Sequence, residues 1–229
     1  QAQWIAGLSL SEEEREKTAA AVNGLQKQLD ALRETEVDYF TSPAIQFRPL
    51  GMEAPLSDRP IHWPIERPAP AKPETADDLA FLSVSELSPL VKSRQVSSME
   101  LTRLYLDRLK KHDSALLCVV NFTEATALEQ AERADREIAA GDYRGPLHGI
   151  PWGAKDIIAW PGYPTTWGAK PFEKQTFDFK ATVAQRLEEA GAVLVAKLSV
   201  GALAWGDQWF KGTTKNPWNS AEGSSGSSA

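Results

Sequence analysis

Residues 149–156 read Gly149-Ile150-Pro151-Trp152-Gly153-Ala154-Lys155-Asp156. A short apolar run of strand length ends there on a lysine and an acid, and a turn-rich segment follows through Pro161-Gly162-Tyr163-Pro164. A lysine in that place is either a solvated charge or a buried amine. Burial disfavours the charged form, which lowers the pKa and makes the amine a base near neutrality. Taken alone, the stretch favours the solvated charge.

The neighbouring segments set the fold class. Downstream, a helix over about 181–190 carries Val183 and Leu187 and ends at Gly191, and Ala192-Val193-Leu194-Val195-Ala196 is a continuous apolar strand. Upstream, 123–140 reads as a helix with Ala127, Ala131, Ala134 and Ile138 inward and Gly141 past its end, and 116–120 is a short apolar run. Before it, Ser97-Ser98-Met99-Glu100 offers a capping box for a helix to about Lys111, with Leu101, Leu104, Tyr105 and Leu109 on one side. Regular structure begins near Phe81, with a short helix from Ser83 or Ser85. Strands apolar on both faces and separated by helices predict an α/β fold, a sheet covered by helices.

The first 78 residues read differently. Ser11 can cap a helix running to about Thr35, with Glu12, Glu13 and Glu14 at its positive end and Val22, Leu25, Leu29 and Leu32 at 3-4-3 spacing. Then Pro43, Pro49, Pro55, Pro60, Pro64, Pro68, Pro70 and Pro73 forbid regular helix or central strand. Tyr39, Phe40, Phe47 and Trp63 among them predict an extended strap rather than a free tether. The expected organisation is a helix plus a proline-rich strap over 1–78 and an α/β domain over 79–229.

Composition narrows the function classes. The 229 residues are 42% hydrophobic and 24% charged with a net charge of −6, which suits a globular protein and argues against nucleic acid as a partner. No run reaches the ~20 apolar residues of a membrane span, so no membrane partner is expected. The lone Cys118 sits among apolar neighbours as a buried structural thiol, and His62, His112 and His148 lack metal-ligand spacing, so no metal site or cofactor is expected. The start at Gln1-Ala2-Gln3, without methionine, reads as a processed export signal or a trimmed chain would leave it; the expectation leans to an exported or periplasmic protein, otherwise a cytoplasmic one.

Three local features carry chemistry: Lys155-Asp156, Thr165-Thr166-Trp167-Gly168, and Gly223-Ser224-Ser225-Gly226-Ser227-Ser228-Ala229 preceded by Lys215-Asn216-Pro217-Trp218-Asn219. Each alone has a plain reading: a surface charge, turn chemistry, a flexible linker. Their order resembles the amidase signature family over about residues 81–229. The segment 146–156 is similar to the family's block carrying the catalytic lysine. Thr165 to Lys170 looks like the loop after it, 181–183 and then 189–197 like the helix and strand beyond, and 215–219 like the approach to the family's Gly/Ser-rich signature, here the run from Gly223.

The resemblance implies a mixed sheet covered by helices and a Ser-cisSer-Lys triad working through an acyl-enzyme. Lys155 would be the base and Ser224 the bridging serine with a cis peptide bond. Gly223, Ser225, Gly226 and Thr166 would support them, and Lys197 would be structural. Two departures stand out: Glu222 and Ser227 occupy positions where the family usually has glycine. The family's nucleophilic serine lies roughly two dozen residues past the bridging serine, which falls beyond Ala229, as does the oxyanion hole. The remainder of the catalytic domain is therefore expected outside this chain.

The substrate implied is a small-molecule carboxamide, and a homodimer is an assembly left open alongside it. Trp152 and Trp167, with Trp160, Trp205 and Trp209 nearby, either line an aryl-accepting pocket or pack as core and rim. Two rivals remain at this level. One is the glutamine-hydrolysing subunit of a tRNA-dependent amidotransferase. The other is a non-catalytic binding protein that keeps the fold.

Overall fold

The structure, a computed structural model, describes residues 7–38, 41–45, 47 and 68–226. The chain divides into two compact units, Gln1–Ile61 and His62–Ala229. Most of the expected strap, including Tyr39, Phe40 and Trp63, lies outside the described residues, as do Ser227, Ser228 and Ala229.

In the first unit, α1 spans Glu12–Arg33. Ser11 and Glu14 form a reciprocal capping box, with Ser11 N donating to Glu14 Oε2 at 2.8 Å and Glu14 N to Ser11 Oγ at 3.3 Å. Val22, Leu25, Leu29 and Leu32 of α1 are all more than half exposed.

The second unit begins with α2 (Ala76–Ala80) and α3 (Val84–Lys92), followed by α4 (Ser98–Leu116), β1 (Val119–Phe122) and α5 (Glu124–Ala140). Next come β2 (Pro151–Lys155), α6 (Thr182–Glu189), β3 (Val193–Leu198) and a small hairpin of β4 (Gln208–Trp209) and β5 (Gly212–Thr213). The order in the main sheet is β1-β3-β2, with β1 antiparallel and β2 parallel to the central β3. This is the mixed, helix-covered sheet expected from the sequence.

Alternation along β3 builds the core on both faces. Val193 and Val195 pack with Leu106, Val119, Ala127 and Ala131, beneath α4 and α5. Leu194 points the other way, to Ala154, Trp160 and Ala184 of α6. A third cluster holds α3 against α4 through Leu90 and Leu101, both fully buried. Burying a side chain of that size stabilises the fold by about 1.5–3 kcal/mol.

Several local expectations change. Of the box expected at Ser97 only half forms: Ser97 Oγ takes the Glu100 amide at 2.9 Å, but Glu100 itself pairs with Lys72 at 2.7 Å. Helix α4 runs past Lys111 to Leu116 and stops where Leu117 turns left-handed, because Asp113 Oδ1 accepts the Cys118 and Val119 amides at 2.7 and 2.8 Å. On α6 the inward residue is Ala184, and Val183 is half exposed, because this short helix lays its narrow side on Trp160 and Leu194.

Candidate active site

Strands β2 and β3 run parallel and end together, with Lys155 in register with Leu198. Ligand sites of such sheets gather at these carboxyl ends. Register also separates the two lysines: Lys197 pairs with Ala154 and Lys155 with Leu198, so they project from opposite faces. Gly153 shares the Lys155 face. A Cβ there would meet Leu198 Cδ1 at 2.5 Å, so the glycine is what lets Leu198 lie beside the lysine.

On the other face lies a buried ion pair. Asp156 and Lys197 are both fully buried, with Lys197 Nζ 2.7 Å from Asp156 Oδ1. The ammonium also donates to Thr165 Oγ1 at 3.0 Å and to the Pro164 carbonyl at 3.1 Å. Its three donors thus meet three acceptors. Burial pushes the Lys197 pKa down, and Asp156 opposes the shift. The second carboxylate oxygen accepts from the Thr166 amide at 2.9 Å and from the Thr166 hydroxyl. The residue directly after Lys155 is therefore locked to β3 and to the 164–168 loop. Asp156 N adds a bond to the Leu198 carbonyl at 2.9 Å.

The Gly/Ser segment reaches the same end of the sheet by another path. Ser199, directly after β3, is buried, and its hydroxyl lies 2.7 Å from Thr214 Oγ1. Thr214 donates its hydroxyl to the Leu117 carbonyl at 3.0 Å, and its own carbonyl accepts the Ser224 amide at 2.8 Å. A Lys215–Gly223 bridge and a bond from Asn216 N to the Glu222 carbonyl continue this antiparallel contact. Ser224 Oγ is buried without a hydrogen-bond partner among the described residues. Ser225 then turns left-handed at φ 59°, Gly226 follows at φ 99°, and the Ser225 amide donates to Asp207 Oδ2 at 3.0 Å.

One expectation is corrected at this loop. No cis peptide bond occurs among the described residues, so the bond entering Ser224 is trans. For a non-proline residue trans is favoured by about 3–4 kcal/mol, and here it leaves both the Ser224 and Ser225 amides satisfied.

The structure therefore gathers Lys155, Thr166, Gly223, Ser224, Ser225 and Gly226 around one end of the sheet, by way of residues that sequence reading passed over. Ser199, Asp207 and Thr214 carried no local signal. Asp156 was visible beside Lys155, but its burial was not. Trp152 lies apart, in the core cluster with Ala154 and Leu194. Trp167 belongs to the 164–168 loop, left-handed at φ 51°, with its ring 4.8 Å from Phe172 and 6.2 Å from Phe177. Trp160 and Trp209 are buried and Trp205 is exposed. Burial pushes the Cys118 thiol up to about 11, helped by Asp113, which makes it a poor nucleophile.

Known proteins share this fold. The amidase family profile matches residues 100–229, more than half of the chain. A glutamyl-tRNA(Gln) amidotransferase component from Dehalococcoides mccartyi (strain CBDB1) is 38% identical over 158 residues, covering 66% of this chain and 32% of that protein. The crystal structure of native peptide amidase from Stenotrophomonas maltophilia superposes with a TM-score of 0.62 at 31% identity, covering 65% of this chain and 32% of that one. A bacterial aryl acylamidase of the amidase signature family superposes at 0.60 with 28% identity, over 65% and 32% of the two chains. The chain spans about a third of the length of the relatives it matches. With the family profile over its sheet, ion pair and Gly/Ser loop alike, the chain belongs to the amidase family.

Proposed function

We propose that this chain carries the base and the proton relay of an amidase that cleaves a carboxamide C–N bond. The observation that supports the reading is a chain of contacts running from the end of β3, beside Lys155, to the Gly/Ser loop. Lys155 is in register with Leu198, and the next residue, Ser199, holds Thr214, whose carbonyl holds Ser224. Residues 69 positions apart in sequence thus share one end of the sheet.

In the proposed reaction, the Lys155 amine takes the hydroxyl proton of Ser224 as Ser224 takes that of a nucleophilic serine. The family pattern places this serine outside these 229 residues. The serine oxygen bonds to the amide carbon, the C–N bond breaks, and the amine leaves with the proton returned along the same path. Water then releases the acid from the acyl-enzyme. The buried, unpartnered Ser224 hydroxyl suits a group whose partners are Lys155 and that serine.

The test is labelling of the intact protein with a fluorophosphonate serine probe, alongside turnover of simple aryl and peptide amides. Labelling should fall at least about 100-fold in Lys155→Ala and in Ser224→Ala, the usual scale of a lost acid–base group. Labelling that persists in both variants would remove the relay. No labelling in the wild-type protein would favour a binding protein that keeps the fold.

A second reading rests on the 38% identity to a glutamyl-tRNA(Gln) amidotransferase component. A glutaminase of that kind would hydrolyse glutamine only with partner subunits. Turnover of simple amides by the isolated protein would set it aside.

A further inference from the structure

The hairpin β4–β5 stands between the two loops of the site. At one end Phe210 N donates to the Gly168 carbonyl at 3.0 Å, fastening it to the 164–168 loop. At its base Thr214 N donates to the Asp207 carbonyl at 3.1 Å, closing the hairpin. That base offers two acceptors to the Gly/Ser loop: the Thr214 carbonyl takes the Ser224 amide, and Asp207 Oδ2 takes the Ser225 amide.

The two acceptors do different jobs. The Thr214 contact continues a short antiparallel run, from Asn216–Glu222 through Lys215–Gly223 to Ser224, which backbone pairing alone sustains. At Ser225 the chain leaves that run in a left-handed turn, a conformation that costs a non-glycine residue free energy. The turn is held through the Ser225 amide, which goes to Asp207. The carboxylate also lies against Gly223. A Cβ at that position would sit 1.9 Å from Asp207 Oδ2 and 2.7 Å from Cγ, although the Gly223 backbone is one any residue could adopt. Glycine is needed here for space, and the space is filled by Asp207.

We propose that Asp207 is a positioning residue for the bridging serine: its carboxylate, seated on Gly223 and bonded to the Ser225 amide, sets the turn that fixes where Ser224 Oγ points. This rests on the reading of Ser224 as the relay. Asp207 acts by geometry, through the Ser225 amide and its seat on Gly223.

The test, made on the intact protein, compares Asp207→Ala, which removes the acceptor, with Asp207→Asn, whose side-chain oxygen can still accept the Ser225 amide. In Asp207→Ala, kcat on an amide substrate should fall about 100-fold, the scale of a misplaced catalytic group, while KM stays within about threefold. Asp207→Asn should recover most of kcat. Amide hydrogen exchange at Ser225 should quicken at least about tenfold in Asp207→Ala, with β3 amides unchanged as the internal standard of folding. Gly223→Ala, which displaces the carboxylate, should lower kcat in the wild-type background and add little in Asp207→Ala, the non-additivity of a shared contact. Equal loss in the Asn and Ala variants, or unchanged exchange at Ser225, would overturn the proposal. If the wild-type protein turns over no amide, the functional reading fails, and exchange at Ser225 alone decides whether Asp207 holds the turn.

Discussion

The two ends of the parallel pair β2–β3 each bury a titratable group beside a carboxylate, and they do so in opposite ways. At the carboxyl end the partners are Lys197 and Asp156, both fully buried, and the three Lys197 donors and both Asp156 oxygens are engaged. At the amino end, His148 is buried in front of β2 with Nε2 3.0 Å from Glu137 Oε2, but Glu137 and Arg144 keep part of their surface in water. His148 Nδ1 accepts the Arg144 amide at 3.1 Å. A buried lysine charge is tolerable only when wholly compensated. A histidine can shed its proton instead, so the amino end can stay open to solvent. The closed end is the one that positions the Lys155 segment and the 164–168 loop.

The sharpest way to break this contrast is to remove one member of the closed pair. Asp156→Ala leaves the Lys197 ammonium buried without its carboxylate and should destabilise the protein by about 3–5 kcal/mol in urea unfolding. Replacing both with apolar residues, Asp156→Leu with Lys197→Met, should cost less than the single change. A double variant no more stable than Asp156→Ala would show that loop anchoring, rather than the stranded charge, dominates.

A smaller effect is expected at Thr166, which is 1% exposed and gives Asp156 both its amide and its hydroxyl. Thr166→Val keeps the shape and the amide bond but loses a hydrogen bond to a charged acceptor, worth about 1.5–3 kcal/mol. A change below about 0.5 kcal/mol in the same unfolding assay would mean that water or Thr165 replaces it.

The smallest effect belongs to the open end and is visible as pH dependence. Burial lowers the His148 pKa from its ordinary 6.5, against the pull of Glu137. The unfolded chain therefore binds the proton first. His148 contributes stability that is fully present above about pH 6.5 and is lost as pH falls through its lower folded value. Burial works to raise the Glu137 pKa, yet Arg144 and His148 outweigh it and hold it below 4.5, so its share is lost only in more acid solution. Thermal melts from about pH 8 to 5 should show a decline below about pH 6.5 that His148→Gln flattens. A decline of equal slope in that variant would assign it to other groups.

The two ends also differ in how legible they were. Around Lys155 the apolar run, the turn residues after Pro161 and the strand at 192–196 were readable, because their periods are local properties. The helix at 123–140 was readable for the same reason, and its inward alanines are buried as expected. The helix at 181–190 was readable as well, but not the side it buries: it turns Ala184 to the core and leaves Val183 half exposed. At the Gly/Ser loop the composition was visible, but not its anchors. Asp207 is one acid among many in the sequence, and only the hairpin brings it to the Ser225 amide.

By itself the sequence determined the order of elements, the covered sheet, the family likeness and Lys155 and Ser224 as the residues to watch. These rest on side-chain periodicity and on motifs that each lie within a dozen residues. Only the tertiary structure decided that Lys155 and Lys197 take opposite faces, that Asp156 is buried between β3 and the 164–168 loop, and that Ser224 comes to the strand ends through Ser199 and Thr214. Register and long-range pairing set those outcomes, and neither is encoded in any single stretch of the chain.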